Sequence, residues 1–376
     1  MAWKPEHHSA DSLRLRRPML RSTSNSPRKP PQKTATARAS SQAVERWFAA
    51  QQRDLPWRKE RTGYTALVSE AMLQQTQVAR VIEKYESFMR RFPDVAALAA
   101  ADEQDVLASW QGLGYYGRAK RLHAAAQAIV ARFDRHVPSD VDLLQTLPGI
   151  GRYTAGAIAS IAFGQRVPIV DTNVARVLMR LEQRGGTASE PANVLWAWSE
   201  AERFVNAAAE PSLLNEGLME LGATVCTAAA PRCAHCPLQA QCKALAGGNP
   251  ASIPVPVAAS VRKRVYHHAI VFIRGGKVLL VQRPERGLWA SMWQVPTVES
   301  EALLPVEQLI EALGAVAPQR IEREREFAHQ TSHRDVVFVV HRGRTRSRRG
   351  MWIDLGEISS FALSNPMRAI VRAASG

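Results

Sequence analysis

The chain has no long hydrophobic run. Its best, Ala155 to Phe163, covers nine residues, against the roughly 18 that a membrane-crossing helix needs, so no membrane partner is expected. The basic N-terminus has no apolar segment behind it, so no secretory signal is expected either. Acidic residues are in deficit, 34 against 49 Lys and Arg among 376 residues, and the net charge is +15. That balance favours a polyanionic partner, most simply nucleic acid. Cysteine is scarce at four residues, which excludes a small disulfide-stapled fold. What remains is ordinary globular composition, 46% hydrophobic, at a length that suits two domains plus a tail.

Residues 1–41 hold nine Lys or Arg, five Pro, seven Ser and one aromatic, Trp3. Such a segment buries too little apolar surface to offset its ordering entropy, and it is expected to be a disordered basic tail. It carries +7 of the +15, so the folded body is basic in its own right. Residues 42–245 read as helices. Val78, Val81, Ile82, Tyr85, Phe88 and Met89 share one helical face, as do Leu122, Ala125, Ala126, Ile129, Val130 and Phe133. Gly247, Gly248, Pro250, Pro254 and Pro256 mark residues 246–262 as a linker. Strand signals then begin. His267–Ile273, Gly275-Gly276 and Val278–Val281 predict a hairpin, Asp335–Val340 a further strand, and Pro305–Val316 a helix. The expected fold is multidomain: an all-α domain, then a smaller α+β domain over 263–372.

All four cysteines, Cys226, Cys233, Cys236 and Cys242, fall in one 17-residue window with spacing C-x6-C-x2-C-x5-C. Four thiols this close suit a single centre. Disulfides fit poorly with a chain of intracellular character. Zinc and a [4Fe–4S] cluster both accept four thiolates, and ligand count does not separate them. Upstream, Leu147-Pro148-Gly149-Ile150-Gly151 joins two helical segments. Its glycines allow close backbone approach, and amides at a helix start suit a phosphate. Asp171 follows twenty residues after Gly151, at the start of a helical run, where simple N-capping is the bland alternative.

The cysteine spacing behind a helical domain resembles the iron–sulfur loop of the endonuclease III and MutY group of DNA glycosylases. The resemblance implies a [4Fe–4S] cluster on the four cysteines. The loop around Gly149 and Gly151, together with Asp171, resembles the helix-hairpin-helix, Gly/Pro-rich loop and aspartate motif of that superfamily. It implies a grip on DNA backbone by the hairpin and stabilisation of sugar cation by Asp171. Such enzymes act on a base extruded from the duplex. Relatives that also cut the strand carry lysine where this chain has Tyr153. A phenol cannot form a Schiff base, so base removal without strong lyase action is expected.

The stretch Leu67 to Gln77 is similar to the MutY-type signature. It implies that Glu70, expected near a helix start, protonates adenine and then activates water. Arg53 to Arg58 matches the segment beside the base pocket, with Trp57 to stack on the base and Arg53 and Arg58 to line its edge. Glu216 matches a contact to the exocyclic amine of adenine. Asn173 matches a partner of the aspartate, with Thr172 where many relatives have glycine. Gln75 and Tyr115 match residues that wedge beside the lesion pair.

The segments Lys277–Arg283 and Gly287–Pro296 resemble the Nudix-like C-terminal domain of MutY. The glutamate-rich metal helix of Nudix hydrolases is not reproduced by Glu307, Glu311, Glu322, Glu324 and Glu326. The domain is therefore expected to recognise 8-oxoguanine rather than hydrolyse nucleotides. Ser332 and His333 match the recognition loop, with Thr331 where relatives have phenylalanine. Arg342, Arg344, Arg346, Arg348 and Arg349 form a cationic run, either a solvated hairpin or an added phosphate contact.

The reading as a whole is a monomeric, monofunctional adenine glycosylase for double-stranded DNA with 8-oxoguanine:adenine or guanine:adenine mispairs. The short linker suggests a bacterial, cytoplasmic, nucleoid-associated protein. An endonuclease III-like pyrimidine glycosylase/lyase and a non-enzymatic iron–sulfur DNA-binding protein are the alternatives. A Nudix hydrolase is a third, weakened by the missing metal glutamates.

Overall fold

The computed structural model describes residues 32–257, 261–318, 320–347 and 349–374. Twelve helices come first: α1 (Gln32–Gln51), α2 (Gly63–Leu73), α3 (Val78–Arg91), α4 (Val95–Ala100), α5 (Glu103–Ser109), α6 (Gly117–Arg132), α7 (Val141–Gln145), α8 (Arg152–Phe163), α9 (Thr172–Leu181), α10 (Pro191–Ala207), α11 (Pro211–Thr224) and α12 (Lys243–Ala246). They build two lobes with separate cores. Helices α2 to α8 pack around Leu67, Phe88, Trp110 and Ile129. Helix α1 joins α9 to α11 around Val44, Leu178, Phe204 and Leu218. On α3 and α6 the expected faces turn inward through Val81, Tyr85 and Phe88 and through Leu122, Ala125, Ala126 and Ile129. Ile82 is the exception and stays exposed.

The expected tail is too long by ten residues, because α1 already begins at Gln32. Ala37, Ser40 and Ser41 are buried, and Ser41 donates to the Phe204 carbonyl at 3.0 Å. Composition hid the first turns of this helix because the positions buried there, Ala37, Ser40 and Ser41, are small rather than large and apolar. Deeper along the same interface Gly217 lets α11 approach α1, where an added Cβ would meet Val44 at 2.7 Å. Residues 1–31, the rest of that segment, lie outside the described residues.

The linker is not free chain. Val255 N donates to Gly186 O at 2.9 Å, and Arg180 Nε donates to Ile253 O at 2.7 Å. Beyond it lie β1 (Lys263–Arg274), β2 (Lys277–Gln282), β3 (Trp293–Gln294), β4 (Thr297–Ser300), α13 (Val306–Leu313), β5 (Arg320–Gln330), β6 (Arg334–Arg344), β7 (Met351–Asp354) and α14 (Asn365–Ala374). The sheet runs β3-β2-β1-β6-β5, with β4 on β1 and β7 on β2. Gly275 and Gly276 both have positive φ at the β1–β2 turn, the geometry of a two-residue hairpin loop. Strand β1 lies parallel to β6 and is buried along most of its length. Met292 and Ala362 of this domain join the α2–α8 core. Gln104 and Lys120 reach Ser291 across the same seam at 2.9 and 2.8 Å.

Candidate active site

Between the two helical lobes lies a cleft of about 670 Å³, within the range of small-molecule sites. One lobe contributes Glu70 from α2 and Tyr153 from α8. The other contributes Asp171 and Asn173 around the start of α9, and Glu216 from α11. Arg53, Trp57 and Arg58 also line it, as do the exposed Gln75 and Tyr115.

Glu70 is not at a helix start. It sits in the closing turn of α2, and its carbonyl accepts from the Gln74 amide. Burial pushes its pKa up to about 7, the Tyr153 hydroxyl opposes this by hydrogen bonding, and Asp171 and Glu216 add to the rise. A carboxyl at the negative end of a helix dipole is disfavoured as an anion in the same sense. The group is thus poised to carry a proton near neutral pH. The Tyr153 hydroxyl also lies 3.4 Å from Met219 Sδ. Burial holds its own pKa well above the usual phenol value, so the residue is a neutral donor and not a nucleophile.

Asp171 does cap α9: Oδ1 accepts from Val174 N at 2.7 Å. Its other oxygen accepts from Asn173 Nδ2 at 2.9 Å. Burial raises its pKa, and the Val174 and Asn173 donors with the Arg176 charge lower it. The capping role therefore coexists with a carboxylate facing the cleft. Asn173 Oδ1 accepts from Arg176 Nη2 at 2.8 Å, and Arg176 Nε donates to the Cys226 carbonyl at 2.8 Å.

Arg53 and Arg58 are not left free to line a base edge. Arg53 grips Glu220 through two bonds of 2.5 and 2.9 Å. Arg58 donates to Glu216 at 3.2 Å and to Glu220 at 2.9 Å. Arg61 adds a 2.5 Å bond to Glu216. Burial raises the pKa of Glu216, while Arg61 and Arg58 lower it. Arg61 and Glu220 were not legible in the sequence, because pairing between the segment before α2 and α11 is a tertiary fact. Trp57 packs edge-on against Tyr85, ring centroids 5.6 Å apart, while bordering the cleft.

Gln75 and Tyr115 hold φ of 55° and 46°, a region costly for side-chain-bearing residues. Both also border a groove of about 1000 Å³ between the domains, lined on its far side by Ser332 and His333. The Tyr115 hydroxyl is 2.5 Å from Ser332 Oγ. Thr331 closes the β5–β6 turn, accepting from Arg334 N and donating to Arg334 O at 3.0 Å each. Buried Arg118 donates to the carbonyls of Ala71, Met72, Gln74, Leu113 and Gly114 and to Thr76 Oγ1. It ties the Gln75 and Tyr115 loops to the end of the Glu70 helix, and sequence reasoning did not single it out.

At the hairpin, Gly149 has φ of 76° and a Cβ there would strike Arg121 at 2.7 Å, while Gly151 caps α8 with nothing within 4 Å of the corresponding position. The bare Gly151 backbone therefore faces open space, as a phosphate-binding helix start requires. The four cysteines line one small hollow with Arg180, Val225 and Pro231. Burial, opposed by the Leu238 amide and reinforced by the other three cysteines, pushes the Cys236 thiol up to about 11. A bound cationic centre would offset that repulsion and keep the thiolates ionised. Arg180, buried on α9, donates to Cys226 Sγ at 3.3 Å and to the Thr227 and Ala228 carbonyls at 2.7 Å.

In the second domain Glu307 and Glu311 are exposed on α13. Glu322, Glu324 and Glu326 on β5 pair with Arg320, Arg342 and Arg323. Arg348 lies outside the described residues. No helix among the described residues is long and apolar enough to cross a membrane.

Residues 68–199 match the HhH-GPD superfamily base excision DNA repair protein family, and residues 268–373 match the NUDIX domain. A thermostable thymine-DNA glycosylase shares the fold of the helical part, with TM-score 0.51, 24% identity, 57% of this chain and 100% of that one. The mouse adenine DNA glycosylase is 34% identical over 87% of this chain and 76% of its own length. That of Mycobacterium tuberculosis strain H37Rv is 47% identical over 51% of this chain and 63% of its own. Because the likeness to the mouse enzyme runs through both domains, the chain belongs to the adenine DNA glycosylase family, hydrolases of base excision repair.

Proposed function

We propose that the protein removes adenine paired with 8-oxoguanine, and with guanine, from double-stranded DNA, and does so without cutting the strand. The observation that carries the reading is the cleft that pairs a protonatable Glu70 with the Asp171 carboxylate, Tyr153 standing where a lyase needs an amine. Glu70 gives its proton to the adenine ring, so the base leaves neutral. Positive charge then develops on the sugar, and Asp171, oriented by Asn173, opposes it. Glu70, now a carboxylate, takes a proton from the attacking water. Tyr153 donates to the Glu70 carboxylate that forms when the proton leaves, and Glu216 accepts from the adenine amine with the oxygen capacity its arginines leave open. Trp57 supplies an apolar face for the base. Arg53 and Arg58 act one step back, by fixing Glu216 and Glu220.

Gln75 and Tyr115 replace stacking at the emptied position, and Ser332 and His333 offer hydrogen bonds to 8-oxoguanine across the groove. The hairpin at Gly149 and Gly151 holds backbone phosphate. Cys226, Cys233, Cys236 and Cys242 hold a [4Fe–4S] cluster, which when bound acts as a structural anchor for its loop. Four thiols around one hollow supply the ligand set such a cluster needs, and the resemblance of their spacing to the iron–sulfur loop favours it over a zinc ion. The domains divide at the 246–262 linker, and the protein acts as a monomer in the cytoplasm.

The test is a labelled duplex with one adenine opposite 8-oxoguanine, its product split with and without hot alkali. A cut appearing mainly after alkali supports the reading. No cut in either portion, from protein that binds the duplex, overturns it.

A further inference from the structure

The arginine run after β6 is not absorbed by this site. The recognition loop sits at the start of β6, where Ser332, His333 and Arg334 line the groove. Strand β6 has 11 residues, so its far end lies roughly 33 Å away at about 3.3 Å per residue. There Arg344 stands directly across the ladder from Arg320. Like charges in opposite register destabilise a sheet. Arg320 has Glu322 at 3.0 Å, a pair exposed on both sides and hence weak. Arg346 and Arg349 follow, and the β1–β2 turn brings exposed Arg274 and Lys277 alongside. Arg344, Arg346 and Arg349 have no carboxylate partner among the described residues. Lys277 has Asp354 as its cross-strand neighbour.

We infer that this end of the second domain, built on Arg344, Arg346 and Arg349, is a second DNA-backbone site that binds a duplex segment other than the one in the cleft. An anion between Arg320 and Arg344 relieves their repulsion, so the unfavourable register becomes binding energy. Residues 1–31 of the chain are themselves net basic and offer the patch no complementary charge. On the proposed function, the duplex in the cleft meets the Ser332–Arg334 end of β6, and the strand runs away from that end. A protein with two such sites can pass from one DNA segment to another without fully dissociating.

The test is the stoichiometry of an undamaged 15-bp duplex on the full-length protein, by analytical ultracentrifugation across a salt series. Two duplexes per protein are expected at low salt. The triple variant Arg344→Ser, Arg346→Ser, Arg349→Ser should lose at least tenfold in the second association constant. The log–log salt slope of that event should fall by about 2 to 3, near 0.9 per lost phosphate contact. First-site affinity should stay within twofold, and the Arg→Lys triple should keep both events, which guards against a folding defect. One duplex per native protein, or a Ser triple whose second association constant and salt slope match those of the native protein, overturns the inference. So does a loss seen only for a longer duplex bound one to one, which would assign the arginines to flanking backbone. Since no lesion is present, the result stands apart from that of the adenine-release assay.

Discussion

Arg176 and Cys226 are joined by a single bond, guanidinium Nε to backbone carbonyl at 2.8 Å. The other arm of the same guanidinium meets Asn173 Oδ1 and the Gly222 carbonyl, both at 2.8 Å. Asn173 in turn donates to Asp171. One side chain therefore sets the amide orientation beside the Asp171 carboxylate and the position of the first cysteine. Arg176→Leu removes four hydrogen bonds and leaves part-buried acceptors unpaired, at about 1 kcal/mol each. Single-turnover adenine release is expected to fall at least tenfold, with faster hydrogen exchange in residues 226–242. Unchanged exchange in that loop would show that the two sites are not mechanically joined.

The Glu70 pKa of about 7 predicts a rate that declines as pH rises through that value, since the acid form is needed. Its stability effect has the same direction. A carboxyl raised above its unfolded value supports folding fully below about 4.5 and loses that support as pH climbs through 7, up to roughly 3 kcal/mol. Glu70→Gln should abolish base release yet melt above the parent protein at pH 8 and level with it near pH 4.5. Denaturant titrations at both values check the sign.

Arg118 supplies donors to the end of α2 and to two loops at once. Burial lowers its pKa to about 10, still far above neutrality, so the charge is retained. Arg118→Met keeps much of the volume and strands the carbonyls. A loss of several kcal/mol is expected, together with weakened discrimination for the lesion duplex because Gln75 and Tyr115 lose their support. Thermal melts and competition binding would reveal either effect, and a variant with native stability and discrimination would refute the assignment.

Three histidines are buried in the second domain: His267 and His268 on β1 and His341 on β6. Burial lowers all three, His267 and His341 to about 4. Glu299 opposes the shift at His267, while Arg283 and Arg334 add to it, and Arg323 adds to it at His268 and His341. For a base depressed in the folded state, the unfolded chain binds more protons between about 4 and 6.5, so stability falls as pH drops through that window. Hydrogen exchange at pH 7.5 and 5 should show protection in β1 and β6 collapsing before that of α6 and α8.

Much of this protein was legible before any coordinates. The Gly275-Gly276 turn, the amphipathic faces of α3 and α6, and the order of helical then mixed domains follow from local periodicity and backbone preference, which the chain carries residue by residue. Glu70, Asp171, Tyr153 and the four cysteines were marked instead by the resemblance of their motifs to the endonuclease III and MutY group. Other features depend on which surfaces meet. Helix α1 begins at Gln32 because small residues pack against α10 and α11. Arg53 and Arg58 are spent on Glu216 and Glu220, across about 160 residues of chain. Glu70 is acidic near pH 7 because it is buried at the end of α2 and faces Tyr153 and Asp171. Periodicity encodes a residue's face on its own element, whereas desolvation and charge pairing depend on what the rest of the fold brings against that face.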